Sequence, residues 1–211
     1  SCIRHLTPNE YGLCSECRDR LESPEPPLCP FCSRPRPKQV KQGRCAECRH
    51  LPDGGFDSVR AAFLYSGPMI DAIQNLKYHR YEEISECLGR WLFRFWKEKW
   101  PETADADLVV PVPLHPRRLW TRGFNQAESL GRVLSTFGNV PMSVQCLHRV
   151  RYTSSQARLK PKDRWKNIEA AFDVRYGRLI EDRRILLVDD VCTTGATFTA
   201  AALALKNNGA R

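Results

Sequence analysis

Apolar and polar positions follow two different patterns along the 211-residue chain, and the change falls near residue 52. Before it, the sequence is rich in cysteine, proline and arginine, with neither the 3.6-residue period of a helix nor the alternation of a strand. After it, short apolar runs alternate with amphipathic segments. Strands are predicted at 56–66, 107–113, 142–150 and 184–190. Helices are predicted at 68–79, 82–100, 125–138 and 196–208.

This alternation predicts an α/β fold with a parallel sheet flanked by helices. We place a small Cys-rich domain at 1–52 and the α/β domain at 53–211, with a Pro-Asp-Gly-Gly linker between them. Residues 151–167 have no apolar period and are predicted to form a long basic loop with at most a helical turn. Because the first residue is not Met and one more strand could follow residue 211, we expect the sequence to be a fragment at one or both ends.

The longest predicted helix carries one apolar face. Its members recur at the helical period and are Leu88, Trp91, Leu92, Phe95, Trp96 and Trp100. Such an aromatic row could stack nucleic-acid bases, but only Phe93 lies off the face, and this favours packing in the core. The isolated cysteines Cys87 and Cys146 lie in apolar patterns and are also predicted core residues.

Composition and charge narrow the possible partners. Hydrophobic residues make up 42% of the chain and charged residues 27%, as in ordinary globular proteins. No apolar run reaches the roughly 18 residues of a membrane span and no secretion signal opens the sequence, so a cytoplasmic protein is expected. The net charge is +9, and the stretch 111–178 has 13 Lys and Arg against 4 Asp and Glu. A clustered positive field suits nucleotides, phosphoribosyl compounds or nucleic acid; a solvated basic surface is the simpler alternative.

Cysteine spacing predicts a metal site near the start of the chain. Seven of the ten cysteines lie in the first 48 residues, and six of these form Cys-x2-Cys pairs. In a reducing compartment such pairs hold a metal more often than they form disulfides. Tetrahedral zinc takes four thiolate or imidazole ligands, which two facing pairs supply. The spacing predicts one Zn2+ site with four ligands: Cys29, Cys32, Cys45 and Cys48.

A second zinc site is expected around the remaining pair, Cys14 and Cys17. Cys2 and His5 lie upstream with the same spacing, although His5 stands where a cysteine is usual. Four protein ligands leave no open position on the metal, so both sites are expected to be structural. A module of this kind folds only with its metal and often presents a docking or nucleic-acid surface.

The predicted strand 184–190 ends in two adjacent carboxylates, Asp189 and Asp190, and a Thr-Thr-Gly turn then opens the last helix. This turn has neither the spacing of a P-loop nor that of a dinucleotide-binding glycine motif. A dehalogenase would need a spacer between its carboxylates, and too little chain follows for a receiver domain.

The turn has the chemistry of an anion site. Backbone N–H groups and the dipole at a helix N-terminus suit a phosphate, to which threonine hydroxyls would also donate. The phosphate is expected at Thr193, Thr194, Gly195, Ala196 and Thr197. The carboxylates would accept hydrogen bonds from sugar hydroxyls. A phosphate beside a vicinal diol indicates a ribose 5-phosphate group.

The run VDDVCTTGAT at 188–197 resembles the signature of type I phosphoribosyltransferases, which bind phosphoribosyl pyrophosphate (PRPP). Two further segments, RRLWTRGFNQAESL at 117–130 and RYTSSQARLKPKDRWKNIEAAF at 151–172, join the Cys-x2-Cys pairs in a wider resemblance. Together they resemble the ComF family, competence-associated, phosphoribosyltransferase-like DNA-utilisation proteins of bacteria. This resemblance covers nearly the whole chain. It implies a type I phosphoribosyltransferase-like sheet preceded by a zinc-ribbon domain.

The resemblance also implies roles for individual residues. Asp189 and Asp190 would hold the ribose hydroxyls, and residues 193–197 the 5-phosphate. A loop would face pyrophosphate, usually with Mg2+, through Pro113, Leu114 and His115. The RGFNQ signature supplies Arg122, Asn125 and Gln126, and a basic lid supplies Arg151, Gln156, Arg158 and Arg164. Such a lid excludes water and stabilises departing pyrophosphate. Lys77, at the end of a predicted helix, is expected to point into the same cleft.

Three functions follow from this reading and remain open. An enzyme would transfer the phosphoribosyl group of PRPP to an acceptor that no residue identifies. A DNA-handling module would grip single-stranded DNA with its basic surface and zinc ribbons, and its PRPP pocket would be regulatory or vestigial. A sensor would signal PRPP to a partner through the zinc module. The resemblance favours DNA handling during competence and uptake, with proteins of the uptake machinery as partners.

Overall fold

The computed structural model describes residues 13–37, 43–78, 82–100, 105–153 and 161–211. Within these ranges the Cys-rich start is mostly irregular, and helices and strands begin to alternate at residue 68. The elements in chain order are α1 Ser15–Asp19, α2 Pro68–Tyr78, α3 Glu82–Lys99, β1 Leu108–Pro111, α4 Pro116–Arg122, α5 Gln126–Gly138, β2 Leu147–Arg149, α6 Pro161–Ile168, β3 Phe172–Val174, β4 Ile185–Val188 and α7 Ala196–Lys206. Short 3₁₀ helices lie at Cys48–His50 and Gly177–Leu179.

A parallel pair of strands organises the centre of the molecule. β1 and β4 pair in register from Leu108 with Ile185 to Pro111 with Val188. The four residues of β1 are fully buried, as expected for a run covered on both faces. Because both strands run in the same direction, the loops that follow them emerge at one edge. The predicted mixture of helices with a parallel sheet is confirmed for this pair.

The predicted strand 142–150 does not join that sheet as a parallel member. Its ordered part, β2, pairs antiparallel with β3, a strand that the apolar pattern did not predict. At the start of the segment, Met142 forms an isolated parallel bridge with Val109. The segment therefore passes from the edge of the parallel pair into a separate hairpin-like ladder.

The predicted strand 56–66 is wrong, because these residues form no regular element. Their backbone bonds to the Cys-rich segment instead of to a strand. The N–H of Val59 donates to the carbonyl oxygen of Phe31 at 2.6 Å, and the hydroxyl of Ser33 donates to the carbonyl of Val59 at 2.6 Å. The buried Val59 and Ala62 produced the strand-like pattern. Residues 56–66 act as the packing surface of the Cys-rich segment.

The helices α3 and α5 pack directly against each other. A Cβ added at Gly89 would lie 2.6 Å from Cβ of Val133, so glycine is what allows this approach. The aromatic face of α3 lies in the core as predicted, with Trp96 1% exposed, while Phe93 also packs against Trp96 with ring centroids 6.2 Å apart. Cys87 and Cys146 are buried, as predicted. Across the described residues, no helix combines the length and apolar character needed to span a bilayer.

Helix boundaries show two further departures. α5 was predicted to be closed by Gly138, but Asn139 is the left-handed cap, with φ of 52°. Gly138 is instead a packing glycine, because a Cβ there would lie 2.6 Å from the ring of Trp96. The basic segment predicted as a loop contains α6, and the unpredicted α4 follows β1 directly.

Candidate functional site

A cavity of about 220 Å³ opens where β1 and β4 end and α7 begins. This is the position at which parallel α/β sheets bind ligands, beyond the carboxyl ends of the strands. Most of the residues singled out from the sequence line it: Lys77, Pro113, Leu114, Arg122, Asn125, Gln126, Asp189, Asp190, Thr193, Gly195, Ala196 and Thr197. The volume is below the roughly 300–1,000 Å³ of drug-sized pockets and suits a small sugar phosphate.

The acidic pair forms one side of the cavity. Asp190 N donates to Oδ1 of Asp189 at 2.8 Å, so the turn itself orients the first carboxylate. Lys77 Nζ lies 2.9 Å from Oδ2 of Asp190; this ion pair lacks hydrogen-bond alignment, and within the described residues that oxygen has no hydrogen-bond donor. Burial, together with repulsion from Asp190, raises the pKa of Asp189 to about 8. Hydrogen-bond donors on a ligand would therefore stabilise the two carboxyl groups of Asp189 and Asp190.

The start of α7 forms the opposite end. Gly195 caps the helix with φ of 80°, a conformation that glycine adopts without strain. Thr194 is buried, and its hydroxyl accepts from the N–H of Ala196 at 3.4 Å, which places it in the turn rather than in the cavity lining. Thr193 and Thr197 do line the cavity. The two hydroxyls flank a helix N-terminus of the kind that binds anions.

The RGFNQ segment forms a polar wall at the start of α5. The side chain of Asn125 caps α5 by accepting from Ala127 N and donates to the carbonyl of Val112 at 3.1 Å. Gln126 is 2% exposed, and its Oε1 accepts from Arg122 at 3.1 Å. Its Nε2 is buried and finds no hydrogen-bond partner in the described part of the chain. A buried amide donor of this kind in a cavity wall is a candidate ligand contact.

Arg149 is a cavity residue that sequence reasoning missed. It is 8% exposed; its Nη2 donates to Oγ1 of Thr153 at 2.5 Å, while its Nε has no partner among the residues that the structure describes. Burial lowers its pKa to about 10, which still leaves it cationic at neutral pH. The sequence showed only that Leu147 and Arg149 would share one face of a strand; the structure shows that this face is buried. An arginine on a buried face is rare without a charged partner or ligand. Arg118 also joins the lining.

Several predicted residues lie elsewhere. His115 caps α4, with Nδ1 accepting from Arg117 N at 3.2 Å, and is outside the lining. Arg151 donates to the carbonyls of Asn167, at 3.2 Å, and Glu169, and so fixes the end of α6. Arg164 lies on α6, away from the lining. Two other lid candidates lie outside the described residues: Gln156 and Arg158.

Cys192 lies in the cavity wall beside the acidic pair. Burial raises the pKa of its thiol to about 12, so the side chain is neutral at physiological pH. A reactive cysteine needs a lowered pKa, and burial shifts the pKa of this thiol in the opposite direction.

The four cysteines of the first predicted zinc site come together. Their Sγ atoms all lie within 4.8 Å of one another, and Sγ of Cys32 is 3.6 Å from that of Cys45. A zinc ion with Zn–S bonds of about 2.3 Å needs sulfur atoms about 3.8 Å apart, whereas a disulfide needs about 2.05 Å. The hydrogen bond between Cys48 and Cys32 lowers the pKa of Cys32 to about 5 and raises that of Cys48. Geometry and donors both fit Zn2+.

Two of the four expected ligands of the second zinc site lie among the described residues. Cys14 precedes α1 and Cys17 lies on it, which places the pair at one end of a short helix. The other expected ligands, Cys2 and His5, lie outside the described residues. The second site thus stays a prediction.

The Cys-rich segment contacts the anion turn directly. Arg34 lies two residues after Cys32, and its Nη2 donates to the carbonyl oxygen of Thr193 at 2.5 Å. Its Nη1 lies 3.8 Å from Oε1 of Glu47, which is next to Cys48. The cysteine cluster and the proposed phosphate turn are consequently joined through one side chain. A larger cavity, of about 480 Å³ and mainly apolar, runs beside β4. Its lining also includes charged side chains, among them Asp105, Arg184 and Lys206, but not the start of α7.

Comparison with known proteins identifies relatives over the full chain. The chain is 32% identical to DNA utilization protein YhgH of Escherichia coli K12 over 211 residues, which is 99% of this chain and 90% of that protein. It is 32% identical to competence protein F of Haemophilus influenzae with the same coverage, over 216 residues. Competence protein ComFC of Bacillus subtilis is 28% identical over 97% of this chain and 81% of its own length. No protein-family model matches the chain.

Proposed function

The chain belongs to the ComF family, and from this premise we propose that its 220 Å³ cavity binds PRPP or a related ribose 5-phosphate compound. The names of the relatives indicate competence and DNA utilisation, so we place this binding in that process. The observation that carries the proposal is the convergence of an acidic pair, a helix N-terminus and buried cationic and amide donors on one small cavity.

Each part of the ligand has a matching part of the wall. The 5-phosphate lies at the start of α7, where Thr193 and Thr197 add hydroxyl donors. The ribose hydroxyls donate to Asp189 and Asp190. Pyrophosphate lies toward Pro113 and the cationic side chain of Arg149, whose Nε lacks an acceptor among the described residues. This arrangement supports a type I phosphoribosyltransferase-like fold, which we propose for residues 53–211.

A magnesium ion fits the donors of this site. Mg2+ is bound in nucleotide and phosphate sites by one or two carboxylates together with phosphate oxygens and water. The acidic pair supplies such carboxylates, and Mg2+ would take the place of Lys77 beside Oδ2 of Asp190, where Nζ lies at 2.9 Å. When bound with pyrophosphate, the ion neutralises its charge. Lys77 neutralises the carboxylate of Asp190 in the ligand-free site.

Calorimetric titration with PRPP and Mg2+ tests this proposal. The double variant Asp189→Asn/Asp190→Asn should lower affinity about tenfold or more, because the charge-assisted hydrogen bond to Asp190 alone contributes about 1.5–3 kcal/mol. Asp173→Asn is the matched control, since Asp173 is exposed on β3 and does not line the cavity. Affinity that survives the double change would refute the site. Pyrophosphate release with any of a panel of acceptors would add a transferase activity.

We propose a second function, the binding of single-stranded DNA by the basic middle of the chain. Support comes from the 13 Lys and Arg between residues 111 and 178 and from the relatives named for DNA utilisation. Counterion release makes such binding strongly dependent on salt. Absence of single-strand binding at low salt would exclude it. A cytoplasmic location, where reduced thiols hold Zn2+, and contacts with the uptake machinery belong to the same proposal.

A further inference from the structure

The short helix α4 presents an unusual surface beside the cavity. Trp120 is 87% exposed, although tryptophan is among the side chains that gain most from burial. Two other exposed aromatic residues flank the same region: Tyr78, 68% exposed, at the end of α2, and Tyr152, 53% exposed, just after β2. We define the α4 surface by six residues: Tyr78, Arg117, Arg118, Trp120, Arg122 and Tyr152.

Arginine side chains of α4 contact the two tyrosine rings. The guanidinium carbons of Arg117 and Arg118 lie 5.6 and 5.8 Å from the ring centroid of Tyr152, and that of Arg122 lies 5.8 Å from the ring of Tyr78. His115 meets Tyr152 edge to face at 5.2 Å. These contacts hold both tyrosine rings at the surface in defined positions.

The charge of the α4 surface is of one sign. The sequence from 108 to 127 contains three arginines and neither Asp nor Glu. Arg118 is anchored by donation to the carbonyl of Thr153 at 2.9 Å. The segment therefore contributes only positive charge to the α4 surface, while Asp189 and Asp190 line the same cavity as Arg118 and Arg122. Charge complementarity points to a polyanion as the occupant.

We propose that the α4 surface binds single-stranded nucleic acid, with bases stacked on Trp120, Tyr152 and Tyr78 and phosphates along the three arginines. Aromatic platforms interleaved with cations are the general means by which proteins hold single strands without sequence preference. This inference rests on the second proposed function and gives it a location. Arg118 and Arg122 also line the 220 Å³ cavity, so the strand lies across the mouth of the phosphoribosyl site.

The α4 surface can be tested with oligo(dT) of about 20 nucleotides and the whole zinc-loaded protein, because this probe reports stacking without base pairing. Stacking on Trp120 quenches its fluorescence in the wild type. Trp120→Ala should abolish most of that quenching and lower affinity, followed by anisotropy of labelled DNA, about tenfold or more. Tyr176→Ala is the matched control, an aromatic residue 66% exposed outside the α4 surface, and should bind as the wild type does.

A second variant separates stacking from charge. Arg117→Ala should reduce the slope of log K against log salt by about 0.7, the value for one phosphate contact on a single strand. The two variants are expected to keep PRPP binding, which reports an intact fold, since neither side chain lines the cavity.

The possible results distinguish failure of the proposed DNA binding from failure of its location on the α4 surface. If the wild type binds no oligo(dT) at low salt, both the second function and the surface are wrong. If it binds, but Trp120→Ala and Arg117→Ala bind equally well with an unchanged salt slope, DNA binding stands and the α4 surface is refuted. If Trp120→Ala loses only the binding of an acidic protein partner, the surface is a protein interface and the proposal is overturned.

Discussion

Replacing Asp189 by asparagine should stabilise the ligand-free protein, and the gain should depend on pH. The asparagine side chain would keep an oxygen that accepts from Asp190 N, a bond of 2.8 Å in the wild type, so the turn retains its orienting hydrogen bond. What disappears is a carboxyl group whose pKa is raised from 3.8 to about 8 by burial and by Asp190. The substitution therefore isolates the cost of holding two neighbouring carboxylates in the cavity wall.

The sign of the effect follows from proton binding. Between pH 3.8 and about 8 the folded protein holds a proton on Asp189 that the unfolded chain has released. Stability due to this group is thus fully present below pH 3.8 and is lost as pH rises to about 8, at up to about 1.4 kcal/mol per pH unit. Because the side chain of Asp189 keeps partial contact with water, we expect only about half of this loss of stability. After this reduction the expected loss near pH 7 is about 2 kcal/mol.

Urea unfolding followed by circular dichroism at several pH values measures this difference. Asp189→Asn should match the wild type near about pH 4 and exceed it by about 2 kcal/mol near about pH 7, because other titrating groups cancel in the comparison. Asp173→Asn, which removes an exposed carboxylate on β3, is the matched control. An Asp189→Asn protein that is less stable than wild type near neutral pH, or a difference independent of pH, would refute the reasoning. Stabilisation with loss of PRPP binding would mark a functional site.

Four further changes probe other parts of the account. Removal of zinc by a chelator should unfold the Cys-rich segment and weaken PRPP binding about tenfold. Arg34→Ala in the zinc-loaded protein should weaken PRPP binding by about the same factor, because both changes remove the hydrogen bond to Thr193. Calorimetry measures the affinity in each case. Arg149→Met should keep the fold by circular dichroism yet lower PRPP affinity about tenfold or more; unchanged affinity would remove this residue from the site. Gly138→Ala should cost about 1–3 kcal/mol in urea unfolding, since its Cβ would meet Trp96, and no loss would contradict the packing.

The local arrangement of the acidic turn could be predicted from the sequence because its parts are contiguous. An apolar strand, two carboxylates, a glycine with positive φ and a helix follow one another within residues 184–206, and the structure places them in that order. The first cysteine cluster was predictable for the same reason, since local spacing limits which thiols can meet. In both cases the relevant distances are set by neighbouring residues.

Contacts between distant segments could not be predicted in this way. The apolar run 56–66 looks like a strand, but its hydrogen-bond partners lie in the irregular Cys-rich segment, at Phe31 and Ser33. Arg149 enters the cavity only because β2 pairs antiparallel with β3, which decides the face it presents. The bond from Arg34 to Thr193 joins positions 159 residues apart. Such contacts depend on the whole fold, and local periodicity does not predict them.

The most direct test of the central claim is a crystal structure with ribose 5-phosphate. The account predicts the phosphate at the N-terminus of α7, within hydrogen-bond distance of Thr193 or Thr197, and the ribose hydroxyls on Asp189 and Asp190. Ligand density at another place, or a sugar phosphate turned so that its phosphate avoids α7, would contradict it.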